Sequence, residues 1–168
     1  MNALRAVETL EEGRYFSAPV DPGNTNTHSL VIPAGVLQAK VMVYWKDQEG
    51  STSASIALVN NLDARVLDPL GNINEPWILD SSPNPLTLDL PAITGIDTLN
   101  NVEQIALDNP VAGTYTIEVT VTELPFGTHE YYVVYEFLTN DIKLTYPIGG
   151  EGFVPGETER IHWDAYGD

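Results

Sequence analysis

Hydrophobic and polar residues alternate with period two over most of this chain. The clearest run is Thr114–Thr122, where Tyr115, Ile117, Val119 and Val121 alternate with Thr114, Thr116, Glu118, Thr120 and Thr122. That spacing sets one apolar face against a core and leaves a threonine-rich face in water, as in a half-buried antiparallel strand. Leu37, Ala39, Val41, Val43 and Trp45 alternate in the same way with Gln38, Lys40, Met42, Tyr44 and Lys46. Shorter runs predict strands over Thr27–Ile32, Leu62–Leu67 and Val102–Leu107. Tyr131–Phe137 is apolar on nearly both faces, which predicts a central strand. Turn-forming residues separate these runs: Pro33-Ala34-Gly35, Asp68-Pro69-Leu70-Gly71-Asn72, Asp108-Asn109-Pro110 and Leu124-Pro125-Phe126-Gly127. Short strands at this spacing, with no convincing internal helix, predict an all-β antiparallel β-sandwich. Eight strands in a jelly roll is the preferred arrangement.

The two ends break the pattern. Residues 2–11 read as a short amphipathic helix, with Leu4, Val7 and Leu10 at i, i+3 and i+6 and Arg5, Glu8 and Glu11 on other faces. About three helical turns are marginal alone in water. The apolar stripe is therefore expected to pack on a body outside this chain. Residues 12–26 are turn-rich, with Glu12-Gly13-Arg14, Pro19 and Asp21-Pro22-Gly23-Asn24, and read as a linker. Residues 80–101, rich in Pro, Asn, Asp and Ser, read as a long irregular connection. After a boundary near Thr139-Asn140-Asp141, Ile142–Glu151 reads as a strand ending in a turn. Phe153–Glu157 and Ile161–Ala165 read as a second strand pair. The expected organisation is thus 1–26 helix and linker, 27–140 sandwich, and 141–168 the opening of a further module. That opening is too short for a sandwich of its own, so it is expected to pair onto the main domain or to move freely.

Composition narrows the function classes. Of 168 residues, 43% are hydrophobic, enough for a packed core. The formal net charge is −17, from 24 acidic and 7 basic side chains. Such an excess opposes binding to nucleic acid or to anionic membrane surfaces and is compatible with cations. There is no cysteine, which removes disulfide frameworks, zinc–thiolate sites and cysteine nucleophiles. No apolar run approaches the ~18 residues that span a bilayer.

Catalytic chemistry finds little support. His28, His129 and His162 sit in no recognisable motif, and Gly-x-Ser-x-Gly, His-Glu-x-x-His and phosphate-binding glycine loops are lacking. The chain is expected not to be an enzyme by itself. Cation binding has better candidates. Asn60-Asn61-Leu62-Asp63 and Asp97-Thr98-Leu99-Asn100-Asn101-Val102-Glu103 are oxygen-rich stretches at strand beginnings. Residues i and i+2 share a face, which pairs Asn61 with Asp63 and Asn101 with Glu103. With Asp97 from the loop they could supply part of the six to eight oxygens that calcium takes. The competing reading is turn and capping chemistry of Asn and Asp. Trp77, Tyr131, Tyr132 and Tyr135 could stack on sugars, or could simply be core aromatics.

A multi-part motif adds to this. In order, the chain carries Val41-Met42-Val43-Tyr44-Trp45-Lys46-Asp47, Asn60-Asn61-Leu62-Asp63, Asp68-Pro69-Leu70-Gly71, Asn100-Asn101-Val102-Glu103-Gln104 and Pro110-Val111-Ala112-Gly113-Thr114-Tyr115. Over residues 27–137 this resembles the β-sandwich domain that follows the catalytic domain in a branch of subtilisin-like serine proteases. Residues 2–11 resemble the last helix of such a catalytic domain. The tail resembles the opening of a small immunoglobulin-like module of secreted bacterial proteins, with its Pro-x-Gly-Gly-Glu start and Ile-x-Trp strand.

The resemblance implies a secreted, non-catalytic accessory domain. Such a domain would stabilise an upstream protease catalytic domain, aid its maturation or position its substrate. Some members of that family bind calcium in this domain, which favours the cation reading of Asn61, Asp63, Asp97, Asn101 and Glu103, and the resemblance implies Leu4 and Val7 docking on the protease body. At Asn61 family members commonly carry an acid, so this chain has one formal charge fewer there. A carbohydrate- or protein-binding module and a structural spacer are the alternatives.

Overall fold

The computed structural model describes residues 3–79 and 82–166. The extreme residues of the first and last segments, and the first two positions of the 80–101 connection, lie outside them. Twelve strands and two helices follow one another among the described residues. They are α1 (Ala3–Glu11), β1 (Tyr15–Val20), β2 (Thr25–Ile32), β3 (Val36–Trp45), β4 (Asn61–Leu67), β5 (Ile73–Asn74), β6 (Trp77–Ile78), α2 (Pro85–Leu88), β7 (Ile93–Thr94), β8 (Val102–Asp108), β9 (Gly113–Glu123), β10 (His129–Thr139), β11 (Ile142–Tyr146) and β12 (His162–Ala165).

Two antiparallel four-stranded sheets form the sandwich, in the orders β1-β10-β3-β8 and β2-β9-β4-β5. Counted along the chain, the eight sandwich strands lie first-eighth-third-sixth and second-seventh-fourth-fifth. This is jelly-roll order, as the alternation predicts. The inward positions of the two sheets meet in one core. Val41, Val43, Trp45, Leu62, Val66, Ile105, Ile117, Val119, Tyr131 and Val133 have no solvent contact. Each such side chain contributes about 1.5–3 kcal/mol relative to exposure. β10 is central, paired with β1 on one side and β3 on the other.

Three expectations change. The stretch read as a linker, residues 12–26, contains β1 and the start of β2. β1 pairs residue by residue with β10 from Tyr15↔Val134 to Val20↔His129. Pro19 hid it, because proline is excluded from central strands, but β1 is an edge strand and tolerates one. Residues 82–101 are also less irregular than expected. They hold the one-turn helix α2, capped by Asn84 through its side chain on Leu86 N–H, and a two-residue ribbon of β6 with β7.

The tail, finally, joins neither sheet. β11 pairs with β12, and Phe153–Glu157, expected as a strand, turns back on itself with Glu157 N–H donating to Val154 C=O at 3.2 Å. The resulting hairpin lies against α1: Arg5 pairs with Asp164 at 3.0 Å, and Lys143 pairs with Glu8. No helix among the described residues is long and apolar enough to cross a membrane.

Candidate metal centre

The site lies at the end of the sandwich where β4 runs past its short partner β5. β5 covers only Val66 and Leu67 of β4. The edge of β4 before Val66 therefore has backbone groups without a strand beside them. Glu103, on the edge strand β8 of the opposite sheet, reaches across and takes one of them: Ala64 N–H donates to Glu103 Oε2 at 2.5 Å. The geometry follows from the pattern of β8, whose inward positions are Glu103, Ile105 and Leu107. Glu103 is 1% exposed, and its other oxygen, Oε1, has no protein partner.

Two neighbours on β4 share that condition. Asn61 is 9% exposed with Oδ1 unpartnered. Asp63 directs one oxygen to the Thr122 hydroxyl, while its Oδ1 is buried without a partner. Asn60, fully buried, has both side-chain polar atoms unpartnered. Buried polar groups are almost always hydrogen-bonded, and leaving one bare costs about 1–3 kcal/mol. Several such oxygens gathered at one strand beginning suit ordered water or a cation. Burial, followed by the charges of Asp63, Asp97 and Glu75, pushes the Glu103 carboxyl up to about 8, while the Ala64 N–H pulls it the other way. A bound cation would reverse both penalties.

The strand is held in place by residues the sequence offered without a role. Trp45 Nε1–H donates to Asn60 C=O at 2.9 Å. Asp47 receives Val59 N–H at 2.8 Å and Asn60 N–H at 2.9 Å on its two oxygens. The Trp45-Lys46-Asp47 stretch thus fixes the backbone from which Asn61 and Asp63 project.

The expected ligands divide. Asn61, Asp63 and Glu103 come together with free oxygens. Asp97 is buried beside them, but its oxygens cap its own loop: Oδ1 accepts from Leu99 N–H at 2.8 Å and Asn100 N–H at 3.1 Å, and Oδ2 from the Asn100 amide at 2.7 Å. Asn101 donates its amide to Trp45 C=O at 2.7 Å, which ties β8 to β3. Asp97 thus caps its own loop, and the Asn101 N–H bridges two strands. Glu75, not singled out by spacing, lines the same cleft as Asp63 and Ala64. It follows a two-residue strand, and nothing in its neighbourhood in sequence marked it. Among the described residues no three Asp, Glu or His side chains form a metal-binding group by themselves. A cation here would therefore draw on the Asn61 amide oxygen, backbone carbonyls and water, which suits calcium and not zinc.

The aromatic candidates also divide. Tyr131 is core and Tyr135 packs against it, whereas Trp77 and Tyr132 are about two-fifths exposed. Tyr132 stands beside Tyr44 on the outer sheet face, ring centroids 6.4 Å apart.

No family model matches the chain, and no curated protein matches it. Solved structures similar to it include Bacillus licheniformis lipase BlEst2 in propeptide form, at 14% identity and TM-score 0.43 over 74% of this chain and 22% of that one. The Clostridium perfringens CspB protease is similar at 12% identity and TM-score 0.42, over 73% of this chain and 25% of that one. A periplasmic inhibitor of g-type lysozyme from Aeromonas hydrophila, PliG, is similar at 18% identity and TM-score 0.35, over 73% and 84%. The chain thus spans a quarter or less of the lipase and the protease. Likenesses this low carry no weight for activity, ligand or partner.

Proposed function

We propose that this chain is a calcium-assisted, non-catalytic accessory β-sandwich of a secreted subtilisin-like protease, stabilising the catalytic domain upstream of it. The observation that carries the calcium part is the set of buried oxygens without partners: Asn61 Oδ1, Asp63 Oδ1 and Glu103 Oε1. The protease context is supported by the order of motifs from Val41 to Tyr115. It is also supported by α1, whose polar residues Arg5, Glu8 and Thr9 face the protein while Leu4, Val7 and Leu10 face solvent. A helix normally buries its apolar stripe, so an outward stripe suits a partner such as a catalytic domain.

Thermal unfolding in calcium and in chelator tests the cation. At a hundredfold excess over Kd, binding stabilises by about 2.7 kcal/mol. A rise in midpoint that Glu103→Gln abolishes supports the reading, and an unchanged midpoint sinks it. The coding sequence ahead of residue 1 tests the context: a Gly-Thr-Ser-Met-type nucleophile stretch supports it and its absence refutes it. The exposed Tyr44–Tyr132 pair favours, as second reading, a glycan-binding face. Saturable binding of a soluble polysaccharide, lost in Tyr132→Ala, would establish that instead.

A further inference from the structure

The two sheets of the sandwich end in four edge strands: β1 and β8 in one, β2 and β5 in the other. Three of them carry a block against further pairing. β1 holds Pro19. Tyr135 N–H donates to Arg14 C=O, which sets the backbone of Phe16, Ala18 and Val20 towards β10 and leaves proline, with no N–H to offer, facing outward. β5 is two residues long. β8 turns the Glu103 carboxyl inward and ends in Asp108. Proline, shortness and inward charge are devices by which edge strands avoid one another. β2 has none of them. It runs eight residues, Thr25–Ile32, without proline, Asp, Glu, Lys or Arg. It keeps its register with β9 without a bulge, and β9 is its only strand neighbour among the described residues.

Val121 N–H donates to Asn24 C=O at 3.0 Å. With an unbroken register, that bond sets the backbone of Asn26, His28, Leu30 and Ile32 towards β9. The N–H and C=O groups of Thr25, Thr27, Ser29 and Val31 then point away from the sheet. The side chains of these four are exposed, Val31 by 67%. We infer that β2 is an interaction edge, where a second copy of this chain pairs antiparallel about a two-fold axis at His28 and joins two four-stranded sheets into one of eight. That axis sets Thr25 opposite Val31 and Thr27 opposite Ser29. All four outward residues then exchange backbone hydrogen bonds, and each sheet face continues across the axis. Charge favours a second copy here. At a net charge of −17, two copies repel wherever carboxylates meet, and β2 contributes none. Glu118, opposite Thr27 on β9, is paired with Arg65 at 2.5 Å. Burial holds the His28 imidazole below its ordinary range, so the two that meet at the axis are uncharged at neutral pH. The inference is independent of the cation reading.

Sedimentation equilibrium at protein concentrations up to about 1 mM, with amide exchange read residue by residue, tests this. The mass is expected to rise with concentration from that of one chain towards that of two. The Thr27, Ser29 and Val31 amides are expected to exchange more slowly in the concentrated sample, while α1 stays unchanged. Ser29→Pro removes an outward N–H from each copy and leaves the pairing with β9 alone. It is expected to weaken dimerisation by about tenfold or more. Ser29→Glu, which sets carboxylates beside the axis, is expected to weaken it too without altering the backbone. Ser51→Glu, with the same added charge on an exposed loop, is expected to weaken it less. The mass of one chain at every concentration overturns the proposal and leaves the edge to a strand of another protein. Dimerisation that Ser29→Pro and Ser29→Glu leave intact, or that leaves the β2 amides unprotected, places the contact elsewhere and overturns it equally.

Discussion

The sandwich and the terminal layer are built on opposite principles. In the sandwich, apolar faces turn inward and meet in one dry core. In the layer formed by α1 and the β11–β12 hairpin, charged faces meet and apolar faces turn out. Arg5 pairs with Asp164 at 3.0 Å and Glu8 with Lys143. Leu4, Val7 and Leu10 on one side, and Ile142, Leu144 and Trp163 on the other, face solvent. Apolar burial scales with area and is not weakened by charge screening, whereas exposed ion pairs are worth about 0–1 kcal/mol and are screened. The sandwich therefore carries the stability of the molecule, and the layer is held to it lightly.

The strongest way to break that contrast is to empty the core. Trp45→Ala removes a fully buried ring and its bond to Asn60 C=O. We expect about 3–5 kcal/mol of destabilisation in urea unfolding, and loss of the calcium response with the Asn60–Asp63 strand. A loss under about 1 kcal/mol would contradict a single cooperative core.

Calcium sharpens the contrast next. Binding at a hundredfold excess over Kd adds about 2.7 kcal/mol, and the midpoint of a domain this size rises roughly 2–4 °C per kcal/mol. The gain should appear in the sandwich and leave amide exchange of β11 and β12 unchanged. Protection of the hairpin by calcium would place a cation elsewhere.

The pH dependence in chelator is smaller per step. Glu103 sits at about 8 in the folded protein against 4.5 for the free carboxyl. Between these values the native state holds a proton that the unfolded chain has released. Stability then falls as pH rises through the window, by at most about 1.4 kcal/mol per pH unit, and is fully retained only below the unfolded value. Glu103→Gln, neutral throughout, should flatten the profile and raise stability near pH 8. A wild-type profile that rises from pH 5 to 8 would contradict this sign.

The ion pairs of the layer give the smallest effect. Arg5→Ala and Lys143→Ala are each expected to cost under about 1 kcal/mol in global unfolding. Both should nevertheless speed amide exchange in α1 and in β11–β12. Salt at about 1 M, where screening acts within roughly 3 Å, should mimic both substitutions. A large global loss would mean that the layer shares the core.

Much of this protein is legible without coordinates. The alternation around Val119 and Val43 determined strands, inward faces and fold class, because a pleated strand has a fixed side-chain period and a core takes one face of it. Asn61, Asp63 and Glu103 were visible as oxygen donors on strand beginnings. What only the tertiary structure decided is which donors meet. Asp97 and Asn101 have the same chemistry as their neighbours, but the oxygens of Asp97 cap its own loop and the amide N–H of Asn101 goes to the Trp45 carbonyl. Glu75 enters the cleft only because β5 is two residues long and the chain leaves the sheet there. β1 was hidden by a proline that an edge position tolerates, and the hairpin found α1 and not a sheet. Strand faces are local and periodic, so the chain spells them out; edges, chain crossings and the partners of a buried oxygen depend on residues far apart in sequence, and only folding brings those together.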